Sequence, residues 1–227
     1  MNVLVAREDA AGFDHFVASV EIGDEAAGFA HQRDTRRHIP RREVPFPIAI
    51  EAAGRHPSEI EREGIMVAGV VYNPANDELF TAERGKGAFL NDQRLRVAAR
   101  KRLADAVVAC ALPHPSRGDV ELARSEHIAI QERVAGLRRF GAAALDLAWV
   151  AAGRLDGYWE RSLSPWDMAA GIALVREAGG FITDLDGCEE MIKTGGILAG
   201  NEDIHREMLQ ALKEAQKAPS IAQRSTA

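Results

Sequence analysis

Ser164-Pro-Trp-Asp-Met-Ala-Ala-Gly-Ile-Ala-Leu-Val-Arg-Glu-Ala-Gly-Gly180 is the stretch that decides how the rest of the chain is read. Ser164 is a suitable N-cap, and Pro165 fits the first helical position, where its missing N–H costs nothing. Ala169, Ile172, Ala173, Val175 and Ala178 predict a largely buried helix, and Gly179 is a natural C′ residue. Asp167 falls in the first turn, at the positive end of the helix dipole, which favours an anion and suits a hard-cation ligand. Taken alone, Asp167 reads more readily as an ordinary first-turn helix acid than as a ligand.

Upstream, Met66–Tyr72 reads as a strand, 73–76 as a turn and Glu78–Glu83 as the returning strand. A second turn at Arg84-Gly-Lys-Gly87 leads into Ala88–Leu90, which completes an antiparallel meander. Ala106–Leu112 predicts a further strand, Glu121–Val134 a helix, Leu137–Phe140 a short strand, Ala142–Ala152 an apolar helix and Asp156–Glu160 the strand entering the 164–180 segment. Phe181–Asp184 and Ile197–Ala199 predict strands, and Asn201 opens a last helix. Strands in a meander followed by strands alternating with helices give a mixed α/β fold.

Residues 1–59 read differently. Their periodicity is weak, and Arg33, Arg36, Arg37, Arg41 and Arg42 are interrupted or flanked by Asp34 and Glu43 without interleaved aromatics, the pattern of a solvated loop. The expected organisation is a divergent, poorly ordered leader over 1–59, a folded domain over 60–215 and a flexible tail over 216–227.

The 227 residues carry a formal net charge of −6, with 46% hydrophobic and 27% charged residues. That balance is ordinary for a soluble globular protein and argues against nucleic-acid binding, which needs a basic face. Cys110 and Cys188 stand far apart with no metal-binding spacing, so two reduced thiols are expected. No stretch approaches the length of a membrane span, and Met1–Val5 is followed by Arg7-Glu-Asp9 rather than a long apolar core, so the expected location is cytoplasmic.

Trp166-Asp-x-Ala-Ala-Gly-x-x-Leu-Val-x-Glu-Ala-Gly-Gly180 closely resembles the C-terminal signature of the inositol monophosphatase family of Mg²⁺-dependent, lithium-sensitive phosphatases. Val67–Pro74 with Glu78-Leu-Phe80 and Gly87–Asn91, Gly141–Ala144, and Gly195–Asn201 resemble further family segments, so the likeness covers about 60–212. It implies a layered α-β-α-β-α sandwich, here with its N-terminal layers incomplete or replaced. It also implies a small phosphorylated polyol or sugar as substrate, and a homodimer as a possible assembly.

The resemblance makes Asp167 a Mg²⁺ ligand and Glu160, seven residues earlier, an acceptor for substrate hydroxyls; on its residues alone Glu160 is also readable as an exposed strand-end acid. It assigns Gly141, Ala142 and Ala143, at a helix start, to contacts with ring hydroxyls through backbone amides, although Ala142 stands where the family commonly has a hydroxylated residue. A helix start packed for its own sake accounts for the same three residues. Trp166 reads as a packing anchor, Arg138 and Arg139 as a solvated pair, and the histidines as uninvolved.

The family's Asp-Pro-x-Asp-Gly-Thr segment and preceding Glu-Glu pair, which supply most metal ligands and activate water, have no counterpart in residues 1–64. Asp24-Glu25, Glu61 and Glu63 lack that context, and Asp184-Leu-Asp-Gly187 lies after the signature helix. No catalytic residue is therefore assigned. Two expectations follow: an inositol-1-phosphate-type phosphomonoesterase of impaired activity, or a non-catalytic remnant or protein-interaction module retaining the fold.

Overall fold

The computed structural model describes residues 2–4, 61–62, 65–66, 68–112 and 118–217. A first sheet contains β1 (Asn2–Leu4), β4 (Ala68–Asn73), β5 (Glu78–Glu83), β6 (Gly87–Leu90) and β7 (Gln93–Arg94), in that spatial order and antiparallel throughout. Between them in the chain, β2 (Glu61–Arg62) and β3 (Ile65–Met66) form a separate ladder. The meander predicted from the turn chemistry is present. Asp77, at φ 52°, closes the first turn, and Gly85 and Gly87, at φ 77° and 98°, form the second.

The second sheet has the order β11 (Phe181–Thr183), β12 (Ile197–Gly200), β10 (Gly157–Glu160), β8 (Val107–Cys110) and β9 (Gly136–Arg138). Here β10, β8 and β9 are parallel, whereas β12 runs antiparallel to both of its neighbours. A short 3-10 turn at Leu103–Asp105 precedes β8. The helices are α1 (Val120–Gln131), α2 (Ala143–Ala151), α3 (Pro165–Glu177), α4 (Met191–Thr194) and α5 (Glu202–Lys217).

Helices α2 and α3 pack on each other between the two sheets, and α1 and α5 pair on the outer face of the second. Among the described residues this is a β-α-β-α stack, the C-terminal part of the expected five-layer sandwich. Helix α3 is buried on every side from Met168 to Val175, as an interlayer helix must be. Its ends follow the sequence closely. The Ser164 N–H donates to Asp167 Oδ2 at 3.0 Å. At the far end Gly179 has φ 81°, and the Gly180 and Gly179 amides return to Val175 and Arg176 carbonyls at 2.8 and 3.0 Å, a Schellman closure.

Small residues let the layers approach. A Cβ on Gly171 would lie 2.4 Å from Leu147 Cδ1 of α2, and one on Gly69 would lie 2.5 Å from the Ala170 carbonyl oxygen. Glu177, at the end of α3, accepts the Gly85 and Gly87 amides at 2.9 and 2.8 Å and so ties the meander to the central helix. Outside, α5 buries Ile204, Met208, Ala211, Leu212 and Ala215 on one stripe against the second sheet.

Several expectations need adjustment. Trp166 is 62% exposed rather than a packing anchor, because at the second helical position its side chain leaves the buried face that begins at Met168. The last helix runs to Lys217, past the expected start of the tail, and residues 218–227 lie outside the described set. Asn2–Leu4 of the leader ladders onto the β4 edge, which weak patterning did not anticipate; residues 5–59 lie outside the described set.

Candidate functional site

The parallel strands β9, β8 and β10 end on one edge of the second sheet, at Arg138, Cys110 and Glu160. Helices α2 and α3 follow β9 and β10, so both begin at that edge. Open sheets characteristically bind ligands outside the carboxyl ends of parallel strands. Gly141, at φ 81°, turns the chain into α2, and Ala142 occupies the N-cap with no side chain to cap the first-turn amides. The N-cap thus supplies those amides no side-chain acceptor, which suits a polar ligand.

Side chains alternate across β10. Tyr158 faces the α2–α3 layer and Trp159 faces α1 and α5, so Glu160 projects to the Tyr158 side. The fully buried Tyr158 hydroxyl donates to Glu160 Oε2. Glu160 is half-buried, and burial pushes its carboxyl above the usual range. The Tyr158 bond opposes that shift, the Asp167 charge adds to it, and Arg139 opposes it. The two acids singled out from the sequence, Glu160 and Asp167, are thus within electrostatic reach of each other. Asp167 is half-buried, with one carboxylate oxygen holding the Ser164 amide.

Beneath Glu160 lies a group that sequence reasoning missed. Asp146, on α2, is 1% exposed, and neither carboxylate oxygen has a hydrogen-bond partner among the described residues. Burial pushes its carboxyl up to about 7; the nearby Ala142 amide pulls the other way without reaching hydrogen-bond geometry, and the Glu160 charge adds to the rise. Cys110 completes the cluster. Burial first, and then the Glu160 charge, push its thiol up to about 12, while its Sγ sits 3.5 Å from His127 Nδ1. At that value it is an inert, protonated thiol. The signal for Asp146 was available as a lone acid in the apolar run Ala142–Ala152. Arg139 is exposed, as expected of a solvated residue, yet its charge acts on Glu160 and Cys110.

A divalent cation such as Mg²⁺ needs several oxygen ligands in near-octahedral array. Among the described residues no three His, Cys, Asp or Glu side chains converge in a way that could hold one. Asp167 is one suitable carboxylate, Glu160 is engaged by Tyr158, and Asp146 is sealed from solvent. The described residues alone therefore do not fit a complete metal site.

Residues 60–217 match the inositol monophosphatase family. The chain belongs to that family. It is 56% identical over 155 residues to an inositol-1-monophosphatase of Mesorhizobium japonicum, covering 68% of this chain and 58% of that protein. It is 43% identical over 153 residues to the Nus factor SuhB of Pseudomonas aeruginosa, covering 66% and 56%. A crystal structure of the extragenic suppressor protein suhB from Bartonella henselae superposes with a TM-score of 0.65 at 55% identity, over 68% of this chain and 59% of that one. The chain spans a little under three-fifths of the length of these relatives. Among the described residues, no helix is long and apolar enough to cross a membrane.

Proposed function

We propose that this chain is a weakened, cytoplasmic phosphomonoester hydrolase that binds inositol 1-phosphate or a related small polyol or sugar phosphate. The observation that carries this reading is the position of Glu160 at the carboxyl end of β10, within reach of the Asp167 charge at the start of α3. Glu160, oriented by Tyr158, accepts hydrogen bonds from substrate hydroxyls. The amides of Gly141, Ala142 and Ala143 receive the substrate's remaining oxygens at the uncapped start of α2. Asp167 would offer one carboxylate to a Mg²⁺ ion, which when bound would supply polarisation of a phosphate and acidification of water.

Weakness follows from arithmetic. Among the described residues Asp167 is the one carboxylate free to take that role. One alone cannot clamp and neutralise a transferring phosphoryl group, a kind of electrostatic stabilisation that is commonly the largest part of the rate. The lack of a converging acid cluster among the described residues, together with 43% identity to a Nus factor, also supports a second reading, a non-catalytic protein-interaction module that keeps the fold.

Calorimetric titration with Mg²⁺ separates the two. The phosphatase reading expects weak binding that Asp167→Asn removes, because an amide keeps the shape but not the charge, and weak binding of inositol 1-phosphate that Glu160→Gln reduces. No heat with either ligand would leave the interaction module as the better account.

A further inference from the structure

The six residues joining Glu160 to Asp167 are held from the opposite side of the sheet. Arg161 follows Glu160 and therefore projects to the other face, the α1–α5 side. There its Nε donates to Glu126 Oε2 at 2.8 Å, and its Nη2 makes a second, shorter bond to Oε1. This is the two-pronged pairing that fixes a guanidinium in direction as well as position. Glu126 is 1% exposed in the middle of α1, and Gln216 Nε2 of α5 also reaches its Oε1, at 3.4 Å.

What Arg161 holds is a bent connection. Ser162 sits in the left-handed region at φ 60°, a conformation a serine adopts only when its surroundings impose it. The next amide, Leu163 N–H, donates to the Gly195 carbonyl at 2.9 Å, and the Ser164 amide then engages Asp167. The bend is thus pinned at Arg161 by α1, at Leu163 by the turn before β12, and at Ser164 by Asp167 itself.

We propose that Glu126 is a positioning residue for the Glu160–Asp167 pair, acting through Arg161. It touches neither acid. By anchoring Arg161 it fixes where β10 ends and at what angle the chain enters α3, and so sets the spacing of the two carboxylates. The proposal rests on the reading of Glu160 and Asp167 as the site. Its test therefore includes a readout that needs no ligand.

The experiment uses the full chain with Glu126→Leu and Arg161→Met combined, so that neither charge is left buried alone. Hydrogen exchange is followed at the Leu163 and Ser164 amides, with the Tyr158 amide in the β10 strand as internal reference. Mg²⁺ binding is measured on the same samples. The expected result is tenfold or faster exchange at Leu163 and Ser164, an unchanged rate at Tyr158, and weaker Mg²⁺ binding. Wild-type exchange at Leu163 and Ser164, or acceleration by the same factor at all three amides, overturns the proposal. If the double variant does not fold, Arg161→Lys, which keeps the charge but loses the fork, is measured the same way. It is expected to show a smaller acceleration confined to Leu163 and Ser164, and none there overturns the proposal. Absence of Mg²⁺ binding by the wild-type chain would count against the site reading, while the exchange rates still decide the role of Glu126.

Discussion

Asp146 and Asp156 are the same residue type at nearly the same burial, 1% and 2% exposed, toward opposite ends of β10. Asp156 stands at the amino end of β10. It accepts the Val107 amide at 2.7 Å and Arg100 Nη1 at 3.1 and 3.3 Å. Asp146 sits beneath the carboxyl end of the same strand with no hydrogen-bond partner among the described residues and a carboxyl raised to about 7. A fold that satisfies one buried acid and leaves another unpaired is spending stability locally, which is characteristic of functional sites. The amino end of the sheet satisfies its buried acid, and the carboxyl end, where the proposed site lies, does not.

The largest effect expected from this contrast is at Asp146. Its folded-state carboxyl titrates well above an unfolded aspartate, so its contribution to stability is intact below about pH 4 and is lost as pH rises toward 7. Asp146→Asn removes that loss. Denaturant midpoints should show the variant gaining on wild type by up to ~1.4 kcal/mol per pH unit between about pH 4 and 7, then holding level. A constant difference across that window would mean that Asp146 is paired after all.

His205, on α5 near the amino end of β10, should show the opposite sign. Burial lowers its imidazole to about 4, and its Nε2 lies 2.9 Å from Thr183 Oγ1. Its contribution is present above about pH 6.5 and is lost as pH falls toward 4. His205→Gln should remove that acid-side loss, in principle by a similar slope over a narrower window. An unchanged acid limb in the variant's stability curve would contradict this assignment.

Next in size, Asp156→Asn keeps the shape but loses the charge facing Arg100 and weakens the Val107 contact. A loss of about 2 kcal/mol is expected, most of it from the buried amide bond because Arg100 is largely solvated. The smallest effect should come from Ser162→Gly. Relief of the left-handed backbone slightly exceeds the added chain entropy, so a gain of roughly 0.5 kcal/mol is expected in thermal or chemical unfolding. A loss there would show that Ser162 is not strained.

Much of this architecture was legible in the residues. Pro165, Asp167 and the Gly179-Gly180 pair fixed both ends of α3, and the Asn73–Asn76 and Arg84–Gly87 turns delimited the meander, because caps and turns act through local geometry. The spacing from Glu160 to Asp167 was equally visible. Trp166 was misread because periodicity shows which stripe of a helix is buried but not where burial begins along it. Asp146 was missed because an acid in an apolar helix looks the same whether it reaches solvent or lies under a strand end. Glu126 and Arg161 are far apart in sequence, and only the fold brings them together.

The central claim is the proposed one: the described residues hold the substrate-hydroxyl side of a phosphatase site and one carboxylate suited to a metal, and turnover is correspondingly weak. Hydrolysis of inositol 1-phosphate by the purified chain in millimolar Mg²⁺ tests it most directly. The account predicts barely detectable release of phosphate. It further predicts that replacing residues 1–59 with a family segment bearing Asp-Pro-x-Asp-Gly-Thr restores lithium-sensitive turnover, which Asp167→Asn then abolishes. Turnover by the unmodified chain at ordinary enzymatic rates, around 1 s⁻¹ or more, would contradict it and would mean that acids such as Asp24, Glu25 or Glu61 complete the site.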